Sequence, residues 1–167
     1  MPEKAGLGEP AAKAIIESGQ LDWEARGRRA GREFALSDAI TVFLCDDVAD
    51  IRMLMRFGLE EEGDVRVVGE AEDGVSGVQG VTDTQPDVLL LDLSMPRLDG
   101  LEVISRVRRS SPRTGIVVFS GFARERMGAL ALEQGADRYL QKGVPLETVR
   151  AAVREVARER ADRHDAA

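Results

Sequence analysis

Val88-Leu89-Leu90-Leu91-Asp92 places a carboxylate directly behind four consecutive aliphatic residues, and this junction decides how the rest of the chain reads. Four residues is strand length, and a run apolar at every position suits a strand covered on both faces, as in a parallel sheet. Four more short, mostly apolar runs flank it: Thr41 to Cys45 and Val65 to Gly69 before, Gly115 to Phe119 and Arg138 to Gln141 after. Helix-length segments separate them, at about Val48 to Glu61, Gly74 to Val81, Gly100 to Arg109 and Arg124 to Gln134, with a last one from Leu146 to about Arg160. In that last segment Leu146, Val149, Val153 and Val156 form one stripe while Arg150, Arg154 and Arg158 share another face, the pattern of a helix docked on a sheet. The alternation predicts an α/β domain with parallel strands joined by crossover helices. Gly74, Gly77 and Gly80 do not spell a dinucleotide fingerprint and read as packing and loop glycines.

Composition narrows the class. A chain of 167 residues accommodates one domain plus appendages. With 43% hydrophobic and 32% charged residues it has material for a core and lies outside the disordered regime. Its apolar runs are strand-sized and no basic segment followed by an apolar stretch opens the chain, so neither a membrane span nor secretion is expected. Cys45 is the only cysteine, which rules out an internal disulfide and agrees with a reducing cytoplasm. The net charge of −7 weighs against broad nucleic-acid binding and favours a protein partner. Residues 1–39 hold Gly6, Gly8, Pro10, Gly19, Gly27 and Gly31 among mixed charges, with Ile15, Ile16, Leu21 and Trp23 as apolar anchors. They read as a flexible N-terminal extension, residues 40–160 as the domain and 161–167 as a C-terminal tail.

In open parallel sheets the functional crevice lies outside the carboxyl ends of the strands. Asp46 and Asp47 follow the first run, and Asp92 follows the third. Strand packing asks for no carboxylate there. Three carboxylates drawn together repel one another unless a cation shares the site. Magnesium suits, because it takes oxygen ligands, uses one or two carboxylates and leaves positions for water and phosphate. The blander alternative makes Asp46 a helix cap and Asp92 a turn residue. Ser120 and Lys142 count against it, since they end the fourth and fifth runs and bring a hydroxyl and an ammonium to the same edge. Of 16 basic residues between positions 40 and 160, 15 are arginine and one is Lys142. A compact ammonium follows a small anion better than a planar guanidinium does, which points to a phosphoryl contact.

These motifs, in this order, resemble the receiver domain of bacterial two-component response regulators, from about Ile40 to Arg160. The acidic pair resembles Asp46-Asp47, and the phosphoacceptor resembles Asp92 in Leu91-Asp92-Leu93-Ser94-Met95-Pro96. Asp99-Gly100 resembles the turn that opens the third helix, Ser120-Gly121 the hydroxyl position, and Gly135-Ala136-Asp137-Arg138-Tyr139-Leu140-Gln141-Lys142 the last strand with its switch aromatic and lysine. The resemblance implies a flavodoxin-like, doubly wound sheet of five parallel strands in the order 2-1-3-4-5. It implies Mg2+ held by Asp47, Asp92 and the backbone carbonyl of Ser94, with Asp46 acting through water. It further implies phosphorylation by a sensor histidine kinase, Ser120 and Lys142 on the phosphoryl oxygens, and a switch through Ser120 and Tyr139 that signals to a downstream protein partner. Two departures stand out: Ser94 replaces a larger polar side chain at a position that tunes phosphoryl lifetime in the family, and Gly143 follows Lys142 where many members have proline.

An ionised carboxylate is already a nucleophile, so positioning and charge neutralisation suffice for its phosphorylation. His164, the only histidine, lies in a charged tail with no ATP-binding motif in the chain, so the protein is expected to receive phosphate and not to act as a kinase. The rival reading as an enzyme, an aspartate-based phosphatase, calls for a second acid two residues after the nucleophile, and that position is Ser94. A DNA-binding output is not expected, since only 25 residues follow Lys142 and the last helix uses most of them; the reading is a stand-alone receiver.

Overall fold

The computed structural model describes residues 39–166. Strands and helices alternate as β1 (Ile40–Cys45), α1 (Ala49–Glu60), β2 (Val65–Ala71), α2 (Gly74–Thr84), β3 (Val88–Leu91), α3 (Gly100–Ser110), β4 (Gly115–Ser120), α4 (Arg124–Glu133), β5 (Arg138–Gln141) and α5 (Leu146–Asp165). The strands make one parallel sheet in the order β2-β1-β3-β4-β5, the expected doubly wound arrangement. The expected N-terminal extension lies outside the described residues.

Successive strand residues point to opposite faces, so each apolar run supplies two cores. Phe43, Leu89, Leu91, Ile116 and Val118 pack with Val81 of α2, Val103, Ile104 and Val107 of α3, and Ala131 of α4. Val42, Leu44, Val88, Leu90, Val117 and Phe119 pack on the other face with Met55 and Leu59 of α1 and with Val149, Val153 and Val156 of α5. Each fully buried Val, Leu or Ile contributes about 1.5–3 kcal/mol relative to exposure. This is why β3, in the middle of the sheet and buried at all four positions, is apolar throughout.

The spaced glycines are packing glycines. A Cβ on Gly77 would lie 2.4 Å from the Cys45 sulfur, and one on Gly80 would lie 2.3 Å from the Phe43 ring, so α2 rides close against β1. Element ends differ from the periodicity by a few residues: α2 continues to Thr84, β4 takes in Ser120, and α5 runs to Asp165, beyond the end of its apolar stripe. Ionic contacts hold that last stretch, Arg160 on Asp137 at 2.6 Å and Arg163 on Glu159 at 3.4 Å. The arginine face of α5 is only partly a surface. The Arg150 side chain is buried, donating to the Gly58 carbonyl at 2.7 Å and pairing with Glu61 and Glu62, so it ties α5 to the end of α1.

Candidate functional site

Strand register builds the site. Cys45 and Leu91 are partners across β1 and β3, so the residues that follow them, Asp46 and Asp92, emerge side by side, with the Asp92 amide donating to the Cys45 carbonyl at 2.8 Å. Ser120 and Gln141 are partners across β4 and β5, and the Lys142 amide donates to the Ser120 carbonyl at 2.8 Å. All the strands are parallel, so these residues share one edge. The Lys142 side chain reaches from β5 towards β1, where its ammonium lies 2.7 Å from Asp46 Oδ2 and 3.2 Å from Asp92 Oδ2. Its nitrogen also stands 6.0 Å from the centroid of the Phe119 ring.

Asp46, Asp47 and Asp92 each offer a carboxylate oxygen, all within 4.8 Å of one another. This oxygen-only donor set fits a hard divalent cation such as magnesium and gives a thiolate-seeking metal nothing. Asp46 and Asp92 are buried and Asp47 is exposed at the mouth. Asp46 also accepts the Val48 amide at 2.9 Å, so the local turn and the crevice use the same side chain. Burial raises the Asp92 carboxyl above the usual carboxylate range, against the opposing pull of the Ser94 amide and the Lys142 ammonium. Burial works to lower the Lys142 ammonium, but Asp46 and Asp92 outweigh it and hold it above the ordinary lysine value. The Cys45 thiol beneath is pushed up to about 12 by burial and by the nearby carboxylates of Asp73, Asp46 and Asp92.

Ser120 and Tyr139 are buried neighbours of the crevice. The Ser120 hydroxyl oxygen accepts the Phe122 amide at 3.3 Å, and the Tyr139 hydroxyl donates to the Phe122 carbonyl at 2.8 Å. Phe122 thus lies between the two residues that the sequence singles out, and no sequence signal marks it. Ser94 is exposed, its amide 3.3 Å from Asp92 Oδ1. The turn after Lys142 is made by Gly143 at φ +107, a left-handed conformation that glycine adopts without a Cβ penalty, and no peptide bond among the described residues is cis. Two supporting residues escaped the sequence reading. Arg52 donates to the Asp46 carbonyl at 2.6 Å, and Asp73 caps α2 by accepting the Val75 and Ser76 amides. Asp73-Gly74 ahead of a helix is a legible N-cap signal; Arg52 carries none.

A doubly wound parallel sheet whose carboxyl edge gathers three carboxylates, a hydroxyl and an ammonium defines the class: a flavodoxin-like α/β domain with a cation-ready crevice. Known proteins narrow it further. A family model described as the response regulator receiver domain matches residues 42–154. The nitrate/nitrite response regulator protein NarL of Escherichia coli is 37% identical over 117 residues, 70% of this chain and 54% of that protein. The chemotaxis protein CheY of Listeria monocytogenes is 26% identical over 119 residues, 71% of this chain and 99% of that protein. Among solved structures, the response regulator domain of Thermotoga maritima CheB is similar with a TM-score of 0.68 at 26% identity, over 72% of this chain and 97% of that one. The chain belongs to the response regulator receiver family, the phosphorelay signalling domains of two-component systems. It spans about half the length of its NarL relative. No helix among the described residues is long and apolar enough to cross a membrane.

Proposed function

We propose that Asp92 accepts a phosphoryl group from a sensor histidine kinase in a magnesium-dependent reaction, and that the domain, residues 40–160, signals in the cytoplasm by switching conformation towards a protein partner. The observation that carries this reading is the convergence of Asp92, the acidic pair and the Lys142 ammonium, 3.2 Å from Asp92 and 2.7 Å from Asp46, at one buried sheet edge. An Asp92 carboxylate oxygen attacks phosphorus, the donor's phosphorus–nitrogen bond breaks with its electron pair going to the ring nitrogen, and an acyl phosphate results. Asp47, Asp92 and the Ser94 carbonyl would hold the magnesium ion, with Asp46 acting through water, and the ion when bound neutralises charge on the phosphoryl oxygens. Lys142, now shared by two carboxylates, turns its ammonium towards a phosphoryl oxygen and donates a hydrogen bond to it. Ser120 donates its hydroxyl to another, which disturbs its contact with the Phe122 amide. Phe122 also receives the Tyr139 hydroxyl, so the aromatic senses that movement, and the partner reads the shifted population.

The domain acts as a phosphoacceptor that assists its own phosphorylation and dephosphorylation, not as a turnover enzyme. Acetyl phosphate with magnesium supplies the test. Mass spectrometry of the intact protein should register one added phosphoryl group in the wild type and none in Asp92→Asn. An unlabelled wild type, or an Asp92→Asn variant labelled as fully as the wild type, overturns the assignment.

A further inference from the structure

Among the described residues, Gln85 and Arg97 hold a positive φ without being glycine. Gln85, at +46, closes α2, where a left-handed residue is routine. Arg97, at +70, ends no helix and lies in the loop between β3 and α3 that follows Asp92. The Leu98 amide donates to the Pro96 carbonyl at 2.9 Å, so Arg97 is the centre of a three-residue turn in its rare, strained form. Glycine would take this φ at no steric cost, yet the position carries an arginine. The loop has two sides. Ser94 and Pro96 are exposed and, with Met95, line an open groove shared with Asp47, Phe122 and Met127. On the other side the loop presses on the start of α2, where a Cβ on Gly74 would lie 2.7 Å from Leu98 Cβ and 2.8 Å from the Leu98 carbonyl oxygen. The Arg97 guanidinium stands 3.4 Å from Asp73 Oδ2 on that side. Asp73 is itself fixed, accepting the Val75 and Ser76 amides and the Ser76 hydroxyl.

From these contacts we infer that Arg97 is a positioning residue for the metal site: paired with Asp73, it holds the loop in the strained shape in which the Ser94 carbonyl is offered to magnesium. The inference deepens the magnesium-dependent phosphoacceptor reading and rests on it. Strain at a single loop residue persists only where the surroundings fix the conformation, and here the fixing groups are the Asp73 carboxylate and the tight contact of Leu98 with Gly74. The open groove gives the loop no such support on its other side. The Arg97 side chain is 69% exposed, so its pair with Asp73 is too weak to matter for the fold as a whole and strong enough to bias one short loop. A plain charge effect has the opposite sign. A cation near an acidic cluster, acting through its field alone, repels a divalent ion, and its removal would tighten binding. A latch weakens binding when removed, because the released loop must be ordered again as the ion arrives. Relieving the turn should therefore gain stability and lose magnesium, two effects of opposite direction from one position.

The test measures magnesium affinity by calorimetry and the metal-free melting point of the full chain. The variants are Arg97→Ala, Arg97→Gly, Arg97→Lys, Asp73→Asn and the double variant Asp73→Asn/Arg97→Ala; asparagine at position 73 keeps a side-chain cap for α2. Arg97→Ala and Arg97→Gly should each weaken magnesium binding about fivefold, near the most that a pair with one exposed partner supplies, and Arg97→Lys should stay within about twofold of wild type. Asp73→Asn should weaken it to a similar extent, and the double variant no further than the single ones, since all of them break one pair. Without metal, Arg97→Gly should melt about 4 °C above Arg97→Ala, because glycine alone relieves the turn. Unchanged or tighter magnesium binding in both Arg97→Ala and Arg97→Gly overturns the latch, and so does a double variant in which the two losses add. An Arg97→Gly protein that melts below Arg97→Ala removes the strain and overturns it as well. A wild-type chain that binds no magnesium overturns the metal-dependent reading itself, and this inference with it.

Discussion

Lys142→Met, studied without divalent metal, isolates the electrostatics of the crevice. The ammonium lies 2.7 Å from Asp46 and 3.2 Å from Asp92, with side-chain exposures of 23%, 8% and 3% for Lys142, Asp46 and Asp92. At an effective dielectric of about 20 such a pair attracts by about 4 kcal/mol or more. Removing one partner of a fully buried pair costs about 3–5 kcal/mol, because a charge is left without compensation. The lysine is nearly a quarter exposed, so water screens part of this, and a loss of about 2 kcal/mol is expected at pH 7. For a domain of this size that corresponds to a melting point lower by roughly 6–8 °C. The pH dependence has a definite sign. Asp92 is raised in the folded state, so its ionisation costs stability as pH rises through the shifted value, and the cost vanishes below the ordinary carboxylate range. Losing Lys142 raises Asp92 further, so the variant's deficit should shrink as the pH is lowered towards the ordinary carboxylate range. Lys142 is itself raised, so its contribution is complete at neutral pH and is lost only above the ordinary lysine range. Magnesium should also restore the variant, since a ligand at about a hundred times its Kd adds about 2.7 kcal/mol. Thermal melts at two pH values, with chelator and with excess magnesium, decide the matter. A metal-free variant that melts with the wild type at pH 7, or a deficit indifferent to both pH and magnesium, refutes the charge argument.

Asp47→Ala should lose tight magnesium binding by calorimetry while its metal-free melting point holds or rises, because one member of a repelling cluster is gone; a large metal-free destabilisation would make this aspartate structural. Cys45, its thiol pushed up to about 12, should resist iodoacetamide at pH 8 in the native protein and react once urea unfolds it, so rapid native alkylation counts against the packed environment. Gly77→Ala would set a Cβ 2.4 Å from the Cys45 sulfur and should destabilise the domain by about 1–3 kcal/mol in urea melts. Gly121→Ala, whose Cβ would meet nothing within 4 Å, should be close to neutral, and equal losses in the two variants would show that packing is not the cause.

Much of this molecule is legible in one dimension. A parallel strand covered on both faces must be apolar at successive positions, so Val88 to Leu91 declares itself without a partner, and the helices follow from the period of their stripes. A strand end in such a sheet is a fixed place, which is why Asp46, Asp47, Asp92, Ser120 and Lys142 could be assigned to one edge before any distance was known. Side-chain trajectories are another matter, because they depend on which groups from distant elements compete for the same space and charge. The lysine's choice of Asp46 at 2.7 Å over Asp92 at 3.2 Å is decided only there. So is the burial of Arg150, which sequence periodicity places on a polar face and the folded chain turns onto the Gly58 carbonyl and two glutamates. Phe122 shows the same limit most sharply: as a letter it is one apolar residue after Gly121. In the fold its amide, carbonyl and ring reach Ser120, Tyr139 and the open groove, because β4, β5 and α4 converge on it and no local pattern records that convergence.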